Sequence, residues 1–335
     1  MTTRHRPMSR RAFSLVELLI VILIIALVIA IVLPALGHAR TAAKNAATKN
    51  LMVQVSQACS SFIISERRMP GYFSAADMGS ASNATEGFTG MENVMFDLAG
   101  GVVPAGSPGS YPCGPITSKA VLYNRDLVGV AQAGNKAYFT PPAKYFKMQD
   151  GVESPGTKVA NPNHQGYVRD LVDAFGTPLL MWSSDPMSIQ PIALQNDFAM
   201  QASGVSNPVK SARFYWNSNS AFLSSAACGE KRVDENAQSI LGANNPNSVV
   251  SMIGVLGNPG SPNSVTNSGP NLLPTSARGQ FVIQSGGADG TYVGREDRGG
   301  KIAGPSATLG YDLNFRSQPS SDIMADFDDL LVAGG

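Results

Sequence analysis

The sequence predicts an α+β fold: one very long N-terminal helix, then a loop-rich head containing short strands. Three observations carry this. Residues 18–33 are sixteen consecutive apolar residues, preceded by the lone acid Glu17. Helical periodicity continues beyond them, with Leu51, Val55, Ala58 and Phe62 recurring at spacings of four, three and four. Much later, Leu179-Leu180-Met181-Trp182, straight after a Gly/Pro turn, and Gln280-Phe281-Val282-Ile283-Gln284 read as strands.

The helix divides into two chemistries. Residues 13–36, 24 in number, span about 36 Å at ~1.5 Å per residue, enough for a hydrocarbon core about 30 Å thick. Arg4, Arg6, Arg10 and Arg11 precede the run, whereas only Arg40, Lys44 and Lys49 follow closely. That excess places the N-terminus in the cytoplasm and exports the remainder. A carboxylate at such depth costs roughly 2.5 to 3.5 kcal/mol or more, so Glu17 needs a partner. From Ala39 onward alanines interleave with Arg40, Lys44, Asn45 and Lys49, and the helix becomes amphipathic up to about Arg67, where Met69-Pro70-Gly71 stops it. Its apolar stripe requires a covering head. Pro34 lacks an amide and Gly37 follows it, which predicts melting or bending over residues 33–37.

The segment Arg10-Arg11-Ala12-Phe13-Ser14-Leu15-Val16-Glu17-Leu18 resembles the class III leader of type IV pilins and type II secretion pseudopilins. With the cut between Ala12 and Phe13, Phe13 opens the mature chain, Glu17 is its fifth residue and Pro34 its twenty-second, the family's spacing. Ala12 departs from the glycine usual before the cut. The resemblance implies a leader over 1–12 removed by a prepilin peptidase, N-methylation of Phe13, a transmembrane helix over 13–36, an amphipathic half over 37–69, and a pilin-like head over 70–335 whose antiparallel sheet receives that half. It implies that Glu17 pairs with the new Phe13 amine of a neighbouring subunit. It further implies a structural filament subunit, most like the major pseudopilin of a type II secretion-like system. Its partners would be copies of itself, other pilin-like subunits and the inner-membrane assembly machinery. The chain would cross the inner membrane once, with its head periplasmic or extracellular, before entering the filament. Three other readings stand beside this one: a type IV pilin or minor tip subunit for adhesion or DNA uptake, a single-pass anchored binding protein or enzyme, and an ordinary signal peptide cut near Gly37-His38-Ala39. The apolar core exceeds the 7 to 15 residues usual for the last.

Asp173-Ala174-Phe175-Gly176-Thr177-Pro178 resembles the turn leading into a strand in major pseudopilins. The family's next strand follows soon after, but here it waits until residues 280–284, so 183–279 reads as an insertion with helical pieces at 218–227 and 248–256. Residues 71–165 read as mainly loop. After the late strand come Ser285-Gly286-Gly287-Ala288-Asp289-Gly290 and, near the C-terminus, Ser321-Asp322-Ile323 with Asp326, Asp328 and Asp329. The resemblance implies a calcium site, Ca2+ being an ion that takes six to eight hard oxygen ligands. Asp289 and Asp322 would bind it, with Asp297 and Asp326 as alternative ligands. A plain Asp-Gly turn and a solvated acidic tail explain the same residues.

Composition narrows the function classes. At 43% hydrophobic and 15% charged, the chain is globular rather than a charged disordered polymer. Loss of the leader lowers the 25 basic residues by four to 21, against 24 acidic ones, leaving −3; no basic stripe points to nucleic acid. Of Cys59, Cys113 and Cys228 one pair at most can close in an oxidising compartment, and Cys113 with Cys228 is the expectation because Cys59 falls on the helix. His5, His38 and His164 are scattered, and no nucleophile elbow or phosphate loop occurs, so no catalytic centre is expected. Arg213 with Phe214-Tyr215-Trp216 reads either as a stacking platform or as a buried strand.

Overall fold

The computed structural model describes residues 14–130, 137–148, 168–202, 211–229, 239–243, 245, 248–261, 273–298 and 322–335. The chain divides into two compact units, residues 1–44 and 45–335. Helix α1 (Leu15–Glu66) belongs to both.

In the first unit every described apolar side chain from Leu15 to Leu36 is exposed. The helix is long and apolar enough to cross a membrane. It stays helical through Pro34, so of the melting or bending expected at 33–37 the melting does not occur. Proline removes a single backbone donor, and the hydrogen-bond ladder resumes beyond it.

In the second unit α1 buries Thr48, Leu51, Met52, Val55, Ala58, Cys59 and Phe62, one stripe at spacings of three and one. It ends where Arg67 turns left-handed (φ 58°) and donates its amide to Ile63 at 3.0 Å. Single-turn helices α2 (Ala75–Met78) and α3 (Asn83–Glu86) lead to α4 (Gly90–Leu98), whose residues are nearly all buried. Helix α4 lies within residues 71–165, which the sequence predicts to be mainly loop. Its start is fixed by a capping box in which the Thr89 hydroxyl accepts from the Glu92 amide and the Glu92 carboxylate accepts from Thr89.

Small pairings follow: β1 (Val102–Val103), β2 (Tyr111–Cys113) and β3 (Val121–Tyr123) form one sheet, and β4 (Phe146–Lys147) pairs with β5 (Asp170–Leu171). The principal sheet contains β6 (Leu180–Ser183), β9 (Phe281–Ser285) and β10 (Leu330–Gly334), antiparallel in the order β10-β9-β6. Between β6 and β9 lie α5 (Gln195–Phe198), the parallel pair β7 (Ala199–Met200) and β8 (Phe214–Tyr215), α6 (Ser220–Leu223) and α7 (Ser248–Leu256). The expected α+β architecture is therefore present, and both strands and both helical pieces fall within a few residues of expectation.

Alternation along β6 and β9 gives the sheet two buried faces. Met181, Phe281 and Ile283 join Leu179 in a core with Leu51, Val55, Phe62 of α1 and Met91, Val94, Met95 of α4. A Cβ on Gly90 would overlap the Met181 carbonyl, so α4 packs flush on β6. Leu180, Trp182 and Val282 point the other way, into a core built with Phe198, Phe214, Trp216, Phe222, Met252 and Leu256. Ser183 is in register with Phe281, and the Ser184 amide donates to the Gln280 carbonyl at 2.8 Å. The long segment between β6 and β9 thus leaves and returns at neighbouring strand ends, and its residues cover the face of the sheet opposite α1.

Cys59, Cys113 and Cys228 are buried and none forms a disulfide, which corrects the expected Cys113–Cys228 bridge. Each belongs to a different core cluster, Cys59 on the buried stripe of α1, Cys113 with Phe73 and Tyr123, and Cys228 among the residues opposite α1. Their separation follows from which face each element covers. Burial pushes the Cys59 thiol up to about 12.

Candidate functional site

Two features concentrate chemistry. At the start of α1 the Ser14 amide donates to Glu17 Oε2 at 2.9 Å, and the Glu17 amide donates to Ser14 Oγ at 3.2 Å. Glu17 therefore occupies the first turn of the helix, immediately ahead of the apolar run. Ala12 and Phe13 lie outside the described residues.

The second feature is an acidic nest beside the principal sheet. β9 ends at Ser285 and the chain turns through Gly287 (φ 64°) and Gly290 (φ 73°). Asp328 Oδ2 accepts from the amides of Ala288 at 2.7 Å and Asp289 at 3.2 Å, tying this loop to the residues that enter β10. A Cβ on Gly287 would overlap Asp328 Oδ1, so only glycine permits that approach. Asp289 Oδ1 accepts from the Thr291 amide at 2.7 Å. One carboxylate oxygen from each of Asp289, Asp297 and Asp328 lies within 4.8 Å of the others.

Asp297 Oδ2 and Asp328 Oδ1 are buried and accept no hydrogen bond. A buried acceptor without a donor is costly. Burial, then the negative charges of Asp328 and Asp289, push the Asp297 carboxyl up to about 7. Neighbouring Asp329 is buried and raised well above the usual carboxylate range by that burial, although Gln284 and the Val293 amide both donate to it. Three clustered carboxylates with two orphaned oxygens fit a hard divalent cation such as calcium, and the set offers no nitrogen or sulfur donor for a softer metal.

A comparison with family models identifies residues 7–33 as a prokaryotic N-terminal methylation motif. The chain carries the N-terminal segment of type IV pilin-like proteins. No curated protein and no solved structure matches it. The motif spans Ala12, Phe13 and Glu17, and Pro34 follows its last residue. Processing by prepilin peptidase and assembly with pilin-like subunits are what this motif implies.

Of the expected metal ligands, Asp289 and the alternative Asp297 come together, while Asp322 does not join them. The Arg278 guanidinium donates to both oxygens of Asp322 and to the Val255 carbonyl at the end of α7. Asp322 is therefore occupied by this ion pair and by the Met324 amide, which donates to its Oδ1 at 3.0 Å. The side chain of Asp326 lies outside the described residues. Asp328 takes the third place. Sequence reasoning noticed it in the acidic tail without assigning it, and its signal would have been the register of β10 on β9.

The aromatic trio Phe214, Tyr215 and Trp216 is buried. Tyr215 donates to Asp185 at 3.1 Å and Trp216 to the Leu241 carbonyl at 2.8 Å, so it forms core rather than a stacking platform. His38 is exposed on α1, and His164 lies outside the described residues.

Proposed function

We propose that this chain is a structural filament subunit of the pseudopilin kind, serving a type II secretion-like system. The observation that supports it is the methylation motif standing directly on a helix whose leading half is apolar and exposed. Prepilin peptidase would cut after Ala12, Phe13 would be N-methylated, and the subunit would pass from the inner membrane into a filament whose core is the packed 13–36 helices. Such helices bury against copies of themselves what one chain leaves bare. Repetition of one heterologous contact builds an open helical assembly. Adding subunits lengthens it and pushes cargo outward, work that needs no catalytic centre in the chain. The head would lie in the periplasm or beyond.

The second reading is a type IV pilin or minor tip subunit. The long segment between β6 and β9 favours it, since it enlarges the head on the face opposite α1. A calcium ion held by Asp289, Asp297 and Asp328 is proposed with either reading. It would join the loop after β9 to the entry of β10.

Mass spectrometry of the mature N-terminus tests the reading. A chain beginning with N-methylated Phe13 is expected. An intact Met1, or a chain beginning at Arg40, would sink it.

A further inference from the structure

The outer side of β6 carries an unpaired backbone residue beside a cavity. Antiparallel strands send the backbone groups of alternate residues to opposite sides, and the Ser184 amide donates to the Gln280 carbonyl, so Leu179, Met181, Ser183 and Asp185 turn theirs away from β9. Three of these four have a partner there. The Leu179 amide donates to the Leu171 carbonyl and the Asp185 amide to the Arg213 carbonyl, each at 2.8 Å, and the Met181 carbonyl accepts from Asn219 Nδ2 at 3.0 Å. Among the described residues neither the amide nor the carbonyl of Ser183 has one. Ser183 lines a cavity of about 430 Å³, a volume usual for ligand sites. Its apolar lining includes Met69, Phe73, Met78 and Met181, and its polar lining includes Ser184, Ser211 and Ser218. Thioether side chains adapt to varied shapes. The charged groups of the lining are already engaged: Arg68 donates to both oxygens of Asp97 at 2.5 and 2.9 Å, and Asp185 accepts from the Tyr215 hydroxyl at 3.1 Å and the Met187 amide at 2.8 Å.

We propose that this cavity binds an extended, uncharged segment of a partner protein as a strand added to β6. One residue of the segment exchanges both backbone hydrogen bonds with Ser183, as an antiparallel neighbour does, and the side chains beside it supply selectivity. The side chain opposite Ser183 shares the face of Met181, since alternate residues of a strand face the same way. An apolar residue fits there. The residues on either side of it share the face of Ser184, where small or hydroxyl-bearing side chains fit. A charged segment would give up its hydration and find no free counter-ion in the lining. The inference is independent of whether the chain enters a filament.

The test uses the full chain in lipid nanodiscs and, as probe, a capped heptapeptide of alternating threonine and leucine. Hydrogen exchange is read at the Ser183 amide, with the Trp182 and Ser184 amides as internal references. Without peptide Ser183 should exchange faster than both, because they donate to β9. At saturating peptide its exchange should slow at least about tenfold. The same peptide methylated at its amide nitrogens keeps its side chains but loses its donors, and it should give no protection. Met187 lines the cavity and is 80% exposed, so Met187→Glu should leave the melting temperature unchanged and weaken peptide binding about tenfold. No slowing with the unmodified peptide overturns the proposal, as does an unchanged affinity in Met187→Glu. Equal binding of the methylated peptide would make the cavity a site for small apolar molecules and overturn strand addition.

Discussion

Ser285 donates its hydroxyl hydrogen to Asp173 Oδ2 at 2.7 Å across 112 positions of sequence. The contact fastens the turn before β6 to the end of β9. The other oxygen of Asp173 accepts the amides of Phe175, Gly176 and Thr177 at 2.8 to 2.9 Å, so one carboxylate shapes a turn and joins it to the loop of the acidic nest. The Ala174 amide meanwhile donates to Thr48 Oγ1 of α1 at 3.0 Å.

Replacing Asp173 with alanine removes four acceptor contacts from a buried site. We expect a loss of about 3 kcal/mol, read by chemical denaturation of the purified full chain. Ser285→Ala deletes one of the four contacts and should cost about 1 kcal/mol. Equal losses for the two variants would show that the turn does not depend on the carboxylate.

Calcium should raise the melting temperature of the chain and chelator should reverse the rise. At a free concentration about a hundredfold above its dissociation constant, the ion adds about 2.7 kcal/mol. Asp297→Asn and Asp328→Asn should abolish the shift, whereas Asp322→Asn should keep it, because Asp322 is held by Arg278. A shift lost only with Asp322 would reassign the site.

The pH response of the ion-free chain has a defined sign. The folded-state carboxyl of Asp297 lies at about 7, above its ordinary 3.8, so folding favours the protonated form. Its contribution is complete below about 4 and is lost as pH rises through 7. Asp173 and Asp329 are shifted in the same direction. With chelator present, melting temperature should fall between pH 4 and 7, and calcium should flatten that fall. A rise over the same interval would contradict this account of the nest.

Thr89→Ala removes the hydroxyl half of the α4 capping box and should cost about 1 kcal/mol. Serine at the same position should restore most of it. Thermal melting of the two variants checks this directly.

Glu17→Ala should leave cleavage after Ala12 intact and lower the fraction of chain in filaments. Incorporation equal to wild type would mean that the carboxylate is not a docking group.

Much of this was legible because it is local. The apolar run, the stripe at Leu51, Val55, Ala58 and Phe62, and the stop at Met69-Pro70-Gly71 depend only on residues a few positions apart, and α1 ends within one residue of expectation. Asp173-Ala174-Phe175-Gly176-Thr177-Pro178 reads as a turn for the same reason, since its hydrogen bonds are internal. Helix α4 was also legible in Thr89-x-x-Glu92, a signal passed over because its surroundings lack periodicity. The acidic nest was only half legible: Asp289 stands out in an Asp-Gly turn, but Asp322, Asp326, Asp328 and Asp329 all compete to join it.

The sequence by itself determined the membrane-length stem, the methylation motif around Phe13, the amphipathic continuation of the helix and the strands β6 and β9. Those properties are written in adjacent residues and in helical or strand periods. The tertiary structure alone decided that Asp328 rather than Asp322 meets Asp289 and Asp297, and that Cys113 and Cys228 remain apart. It also decided that the residues between β6 and β9 cover the sheet face opposite α1. The first and the last of these follow from antiparallel pairing of β9 with β6 and β10, which joins Leu180 to Gln284 and Leu330 to Ser285; the cysteines stay apart because Cys113 lies on β2 in a separate cluster. Once the pairing is set, the alternation of side chains assigns every neighbouring group to one face or the other.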